Sequence, residues 1–235
     1  MITRLIPFLV LLVAVNAYGA GKVTIEGEGE GEHYTMVIEY QDNHSLRMNL
    51  PGQQQAESYM LIKDNKVYTV AMINNSPMVM DLGAMSKMAA AFGGDDGDQD
   101  QATGPLNYEV LDMKDTGKTE TVAGFKGKIY MVTAKDGSGT HSEEIVFSSN
   151  PQVRAYTDAW REAGKTMQQV LAKGMQDHND LNHYMEKNKL GLLRYGKEYR
   201  VVSIDDSKPA ADRFTLPAAP MAMPDFGSMF GGAAQ

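Results

Sequence analysis

The sequence predicts an α+β fold, an antiparallel β-sheet of about nine to eleven strands with two or three helices. Three observations carry this. Short alternating segments are separated by turn dipeptides rather than by regular helical crossovers. Two stretches, 77–92 and 151–174, instead carry apolar residues at steps of three and four. Hydrophobic residues make up 43% of the 235-residue chain, enough to fill a core.

Residues 1–19 read as a secretory signal. Arg4 is the only charge, an apolar run at 5–15 is broken only by Pro7, and Ala17-Tyr18-Gly19 forms a small-x-small site with cleavage before Ala20. Val15-Asn16-Ala17 is a competing site. The run falls short of the about 20 apolar residues of a membrane span, and no later stretch is as long. The expected address is the periplasm, with no membrane span in the mature chain. Gly27 to Glu32 alternates Gly and Glu and reads as a flexible leader. It fails as a phosphate loop, because its glutamates repel phosphate and no helix opens after it.

Residues 33–40 place Tyr34, Met36, Ile38 and Tyr40 on one strand face, and 45–50 alternate Leu46, Met48 and Leu50. Segments 57–62 and 66–72 flank Asp64-Asn65 as a hairpin. Met78, Leu82, Met85, Ala89 and Phe92 share a helical face, which Gly93-Gly94 ends before an acidic loop at 93–104. Strands follow at 106–113, 117–122, 125–134 and 141–148. Asn150 caps the second helix and Pro151 suits its first turn; its stripe is Val153, Tyr156, Trp160, Ala163, Met167, Val170 and Gly174. A shorter helix at 180–189 ends on Lys187 and Lys189, and 191–204 form a closing strand pair. The domain organisation is therefore a signal at 1–19, a single domain at 20–217 and a disordered Met/Pro/Gly-rich tail at 218–235.

Composition excludes several classes. With 22 Lys+Arg against 30 Asp+Glu, the charge of −8 argues against general nucleic-acid binding. Without Cys there is no disulfide, no CxxC zinc site, no thiol nucleophile and no lipid-anchored cysteine. The run Asp95, Asp96, Asp98, Asp100 breaks the calcium-loop pattern at Gln101 and Asn107. His178 and His183 lie five apart, about 140° around a helix, and do not face one ion. Ser138 lacks the first Gly of a GxSxG elbow. The expectation is a protein that is not an enzyme, with no catalytic residue, metal or cofactor.

Methionine is the unusual component, at 17 residues. Met72, Met78, Met80, Met85 and Met88 cluster, and Met221, Met223 and Met229 lie in the tail. Three readings compete: core filling, a deformable apolar pocket for acyl chains or partner segments, and Cu(I) ligation through Met78/Met80 and Met221/Met223. A structural, partner-docking role would use Met221, Met223, Phe226, Met229 and Phe230 of the tail.

The second half of the chain resembles a periplasmic domain family of unknown function. Residues 119–130 (TETVAGFKGKIY) resemble its "ET-hydrophobic-AGY-C-x-x-Y" core, and 143–148 (EEIVFS) its "E-hydrophobic-W" strand. Residues 190–194 (LGLLR) resemble its "GxPL(K/R)" segment, and 214–217 (FTLP) its "F-x-x-P" terminus. Gly127 stands where many members keep Cys, Val146 or Phe147 where they keep Trp, and Leu192 where they keep Pro. The resemblance implies the curved half-barrel of the outer-membrane lipoprotein carriers (LolA/LolB-like), with helices on the concave face over an apolar cavity. The expected function is exported, non-catalytic binding of an acyl chain, lipid or lipoprotein segment. The expected ligand-binding residues are Met78, Leu82, Met85, Phe92, Tyr156, Trp160 and Met167.

Overall fold

The computed structural model describes residues 19–29, 32–42, 44–49, 58–91, 109–136, 139–171 and 180–221. In chain order these form β1 (Gly21–Gly29), β2 (Glu32–Asp42), β3 (Ser45–Asn49), β4 (Tyr59–Lys63), β5 (Lys66–Ile73), β6 (Ser76–Asp81) and α1 (Leu82–Ala91). Then come β7 (Glu109–Val122), β8 (Phe125–Asp136), β9 (Gly139–Ser148), α2 (Pro151–Leu171), α3 (Asp180–Asn188), β10 (Gly191–Tyr195), β11 (Tyr199–Asp205) and a 3-10 turn (Ala211–Phe214).

The eleven strands make one open, curved antiparallel sheet in the order β6-β5-β4-β3-β2-β1-β11-β10-β9-β8-β7. It consists of two meanders, β1 to β6 and β7 to β11, welded where β1 pairs with β11. The helices pack on one face, called inner here. There α2 sets Val153, Tyr156, Ala159 and Ala163 against Val23, Ile25, Ile38, Leu46, Tyr195 and Val201. Asn150 Oδ1 accepts the Gln152 N–H at 2.8 Å and so caps α2 as expected. On the outer face of β4 to β6, Tyr59, Leu61, Tyr68, Val70 and Val79 form a second cluster under Phe214. Burying such an aromatic contributes about 1.5–3 kcal/mol, so the segment after β11 straps the outer face down.

Four expectations are corrected. Residues 21–29, taken in part as a flexible leader, form β1 in the middle of the sheet. Its inner positions Gly21, Val23, Ile25 and Gly27 are all buried, and the glutamates alternate to the other face. At Gly27 an ideal Cβ would stand 1.9 Å from the Glu198 carbonyl oxygen, so only glycine fits.

Met78 lies on a strand, not a helix. Asn74 and Asn75 have φ of 50° and 64°, the two-residue turn that joins β5 to β6, and α1 starts only at Leu82. Asp81 Oδ1 accepts the Ala84 N–H at 3.1 Å and marks that start. Met78, Met80 and Leu82 satisfy period two while Met78, Leu82 and Met85 satisfy steps of four and three, and pairing with β5 decides between them.

The segments expected at 106–113 and 117–122 belong to one strand over its described length, β7, interrupted by a bulge between Asp115 and Thr119. There Gly117 takes φ 73° and its N–H binds Asp115 Oδ1 at 2.8 Å. Finally, the ordered chain continues past 217. Ala218 packs on the outer cluster, and the Met221 N–H donates to the Val79 carbonyl at 2.8 Å. Residues 1–18 of the signal expected at 1–19, the loop at 93–104 and the tail beyond 221 lie outside the described residues.

Candidate functional site

Strand register builds a methionine row. Across the inner face Ile38 stands opposite Met48, Met48 opposite Met60, Met60 opposite Thr69, and Thr69 opposite Met80. Met78 sits two residues before Met80 and therefore on the same face. Met48 is 6% exposed, Met60, Met78 and Met80 are half-buried, and Met85 on α1 reaches 36%. The row thus runs from the sealed core at Met48 to half-buried methionines on β6, the edge strand of the sheet.

Two helices border that end. An ideal Cβ on Gly83 of α1 would lie 3.2 Å from Val170 Cγ1 of α2, so a small residue there lets the helices touch. Leu82, Trp160, Met167 and Val170 are partly buried and pack on the main core. Trp160 and Met167 are two helical turns apart on one stripe of α2. Met78 on β6, Leu82 and Met85 on α1 and Met167 on α2 thus lie on elements that meet at the β5–β6 end, with Trp160 further along α2. Phe92 lies outside the described residues.

Tyr156 is set apart. It is fully enclosed near β11, where its hydroxyl lies 3.3 Å from that of Tyr199. Burial pushes both phenols well above their usual range, so neither ionises near neutral pH. This pair closes the core and does not border the methionine end.

Comparison with protein-family models, with curated proteins and with solved structures finds no match to this chain.

What the methionine end can do follows from its chemistry. The charges of β5, β6 and α1 are Lys66, Asp81 and Lys87, with Lys66 Nζ 3.9 Å from Asp81, and α2 adds Arg154, Asp158, Arg161, Glu162 and Lys165. No group of three or more His, Cys, Asp or Glu able to hold a metal ion occurs among the described residues. No helix among them is long and apolar enough to cross a membrane. Unbranched thioether side chains adapt their shape to an apolar partner at small cost. Sequence reasoning missed Met60 and the contribution of Met48: each strand's alternation is visible, but only the cross-strand register aligns them. A different, polar recess on the outer face also escaped it, because its residues come from four separate segments.

Proposed function

We propose that this chain is an exported, non-catalytic binding protein of the cell envelope, built in the manner of the outer-membrane lipoprotein carriers. It receives an acyl chain, a lipid or a lipoprotein segment at the methionine-lined end of the inner face. The observation that carries this reading is the inner-face row in which Met48, 6% exposed, stands opposite half-buried Met60, and Thr69 beside it stands opposite half-buried Met80 on the edge strand. Flexible, partly exposed thioether side chains leading toward the core offer a chain-like ligand an adaptable apolar surface. Each buried methylene contributes about 0.8 kcal/mol, so a fatty chain needs no charged partner to bind there.

The test is native mass spectrometry with lipid extraction on protein purified from its own envelope. Lipid-bearing protein is expected, with less lipid retained by Met85→Lys. Ligand-free protein that also takes up no lipid from vesicles overturns the reading.

A second reading, Cu(I) binding, is favoured by Met78 and Met80 sharing a face with Met60. A competition titration with a Cu(I) chelator that shows no transfer to the protein removes it.

A further inference from the structure

The outer face carries a second candidate site, independent of the methionine end. Glu39 stands opposite Arg47 across β2 and β3, and Asn49 opposite Tyr59 across β3 and β4. Arg213 of the 3-10 turn descends on them, its Nη2 at 2.8 Å and its Nε at 2.9 Å from one oxygen of Glu39. Arg47 Nε lies 3.9 Å from that same oxygen. The Arg47 guanidinium carbon stacks 3.4 Å from the Tyr59 ring centroid, and its Nη1 donates to the Arg213 carbonyl at 3.3 Å. With Val37, Asn49 and Ser58 these residues wall a recess of about 190 Å³.

Among the described residues lining the recess the charges do not balance. Two guanidinium groups share a single carboxylate, in a place where the Arg47 and Glu39 side chains are only 18% and 13% exposed. Burial, and then the neighbouring charge of Arg213, lower the Arg47 pKa, as expected for a cation short of counter-charge. Asn49 Oδ1 accepts the Val37 N–H, which leaves its two amide donors. The recess is smaller than the about 300–1,000 Å³ of pockets for drug-sized ligands.

We propose that this recess binds a small organic monocarboxylate, held by the Arg47 and Arg213 guanidinium groups with Asn49 and Ser58 as neutral partners. A guanidinium fork matches a carboxylate, and one negative charge brings the group to neutrality. A phosphate dianion would leave net negative charge beside Glu39, and an acyl lipid is too large and too apolar for this lining. The residues come from β2, β3, β4 and the 3-10 turn, so an occupant would also bridge the strap to the sheet.

The test is a titration of the full chain with sodium acetate, sodium phosphate and sodium chloride at constant ionic strength, followed by NMR of the Arg47 and Arg213 Nε–H signals. Saturable acetate-dependent shifts are expected, with phosphate weaker and chloride without saturation. In Arg47→Gln the acetate affinity is expected to fall at least tenfold while far-UV circular dichroism is unchanged. If that variant does not fold, Arg213→Gln, altered at a more exposed side chain, takes its place with the same expectation. No saturation in the wild type, a preference for phosphate, or unchanged acetate affinity in the folded variant overturns the proposal.

Discussion

Arg200 Nη1 lies 3.0 Å from Glu120 Oε1, although their strands β11 and β7 stand four positions apart in the sheet. In a flat sheet four strand spacings amount to roughly 19 Å, beyond the combined reach of the two side chains. The β7–β8 tip therefore turns over the outer face of β9 to β11. The bulge between Asp115 and Thr119 supplies the bend. Val122 becomes fully buried, and Glu120 also meets Arg194 at 2.9 Å. The same coiling buries both faces of β9 and β10, so their alternation is lost over 145–148 and 191–193.

Glu120 makes this closure sensitive to pH. Burial alone would raise its pKa, but Arg194 and Arg200 prevail and hold the carboxyl below its usual range. A group whose pKa is depressed on folding contributes stability above its unfolded pKa and loses it as pH falls through the folded value. Glu120→Gln is expected to cost roughly 1–2 kcal/mol at pH 7 and progressively less below about pH 4.5. Thermal melts of both proteins from pH 7 to pH 3 check this.

Gly27→Ala must displace backbone, because the new methyl would meet the Glu198 carbonyl. At Gly29 the nearest neighbour of an added Cβ is a Tyr34 ring carbon at 3.8 Å, an ordinary contact. Urea unfolding is expected to show Gly27→Ala destabilised by about 3 kcal/mol or more and Gly29→Ala by less than about 1 kcal/mol.

Arg161 is an uneconomical cation in the helical layer. Its side chain is 9% exposed, with Nη2 3.1 Å from Asp158 and 3.9 Å from Glu186. Among the described residues its buried Nε and Nη1 have no hydrogen-bond partner. Arg161→Met is therefore expected to be neutral or to stabilise by up to about 2 kcal/mol, read as a midpoint shift in urea.

Lys189 ends α3 with φ 54°, while the Leu190 N–H reaches the Met185 carbonyl at 2.9 Å and the Lys189 N–H the Glu186 carbonyl at 3.2 Å. That is the left-handed cap glycine prefers. Lys189→Gly is expected to raise stability by about 0.5–1 kcal/mol, visible as a rise in Tm of roughly 1–4 °C.

Local signals in the sequence were legible because local chemistry decides them. Asp64 and Asn65 take φ of 53° and 58° in the hairpin turn that their types foretell. Asn150 caps α2, and Lys187 lies in the last turn of α3. Non-local pairing decided the rest. β1 hid in a glycine-glutamate run because its partner β11 lies at the far end of the chain. Its glycines look like linker until Glu198 and Tyr40 are seen against them. Met78 followed a helical rhythm that pairing with β5 overrules. The methionine row exists only across strands, and the Arg47–Glu39–Arg213 group only across the strap.

Trp160, the single tryptophan, is partly buried on the α2 stripe two helical turns before Met167, so its emission reports on the helix that borders the methionine end. The most direct test is a fluorescence titration of the purified chain with saturated fatty acids of increasing length, below their micellar concentrations. Saturable change in Trp160 emission is expected, with affinity rising about fourfold per methylene, as about 0.8 kcal/mol for each requires. Met85→Lys is expected to weaken every member of the series. A Trp160 signal that never saturates, or an affinity indifferent to chain length, contradicts an apolar binding site at this end of the sheet.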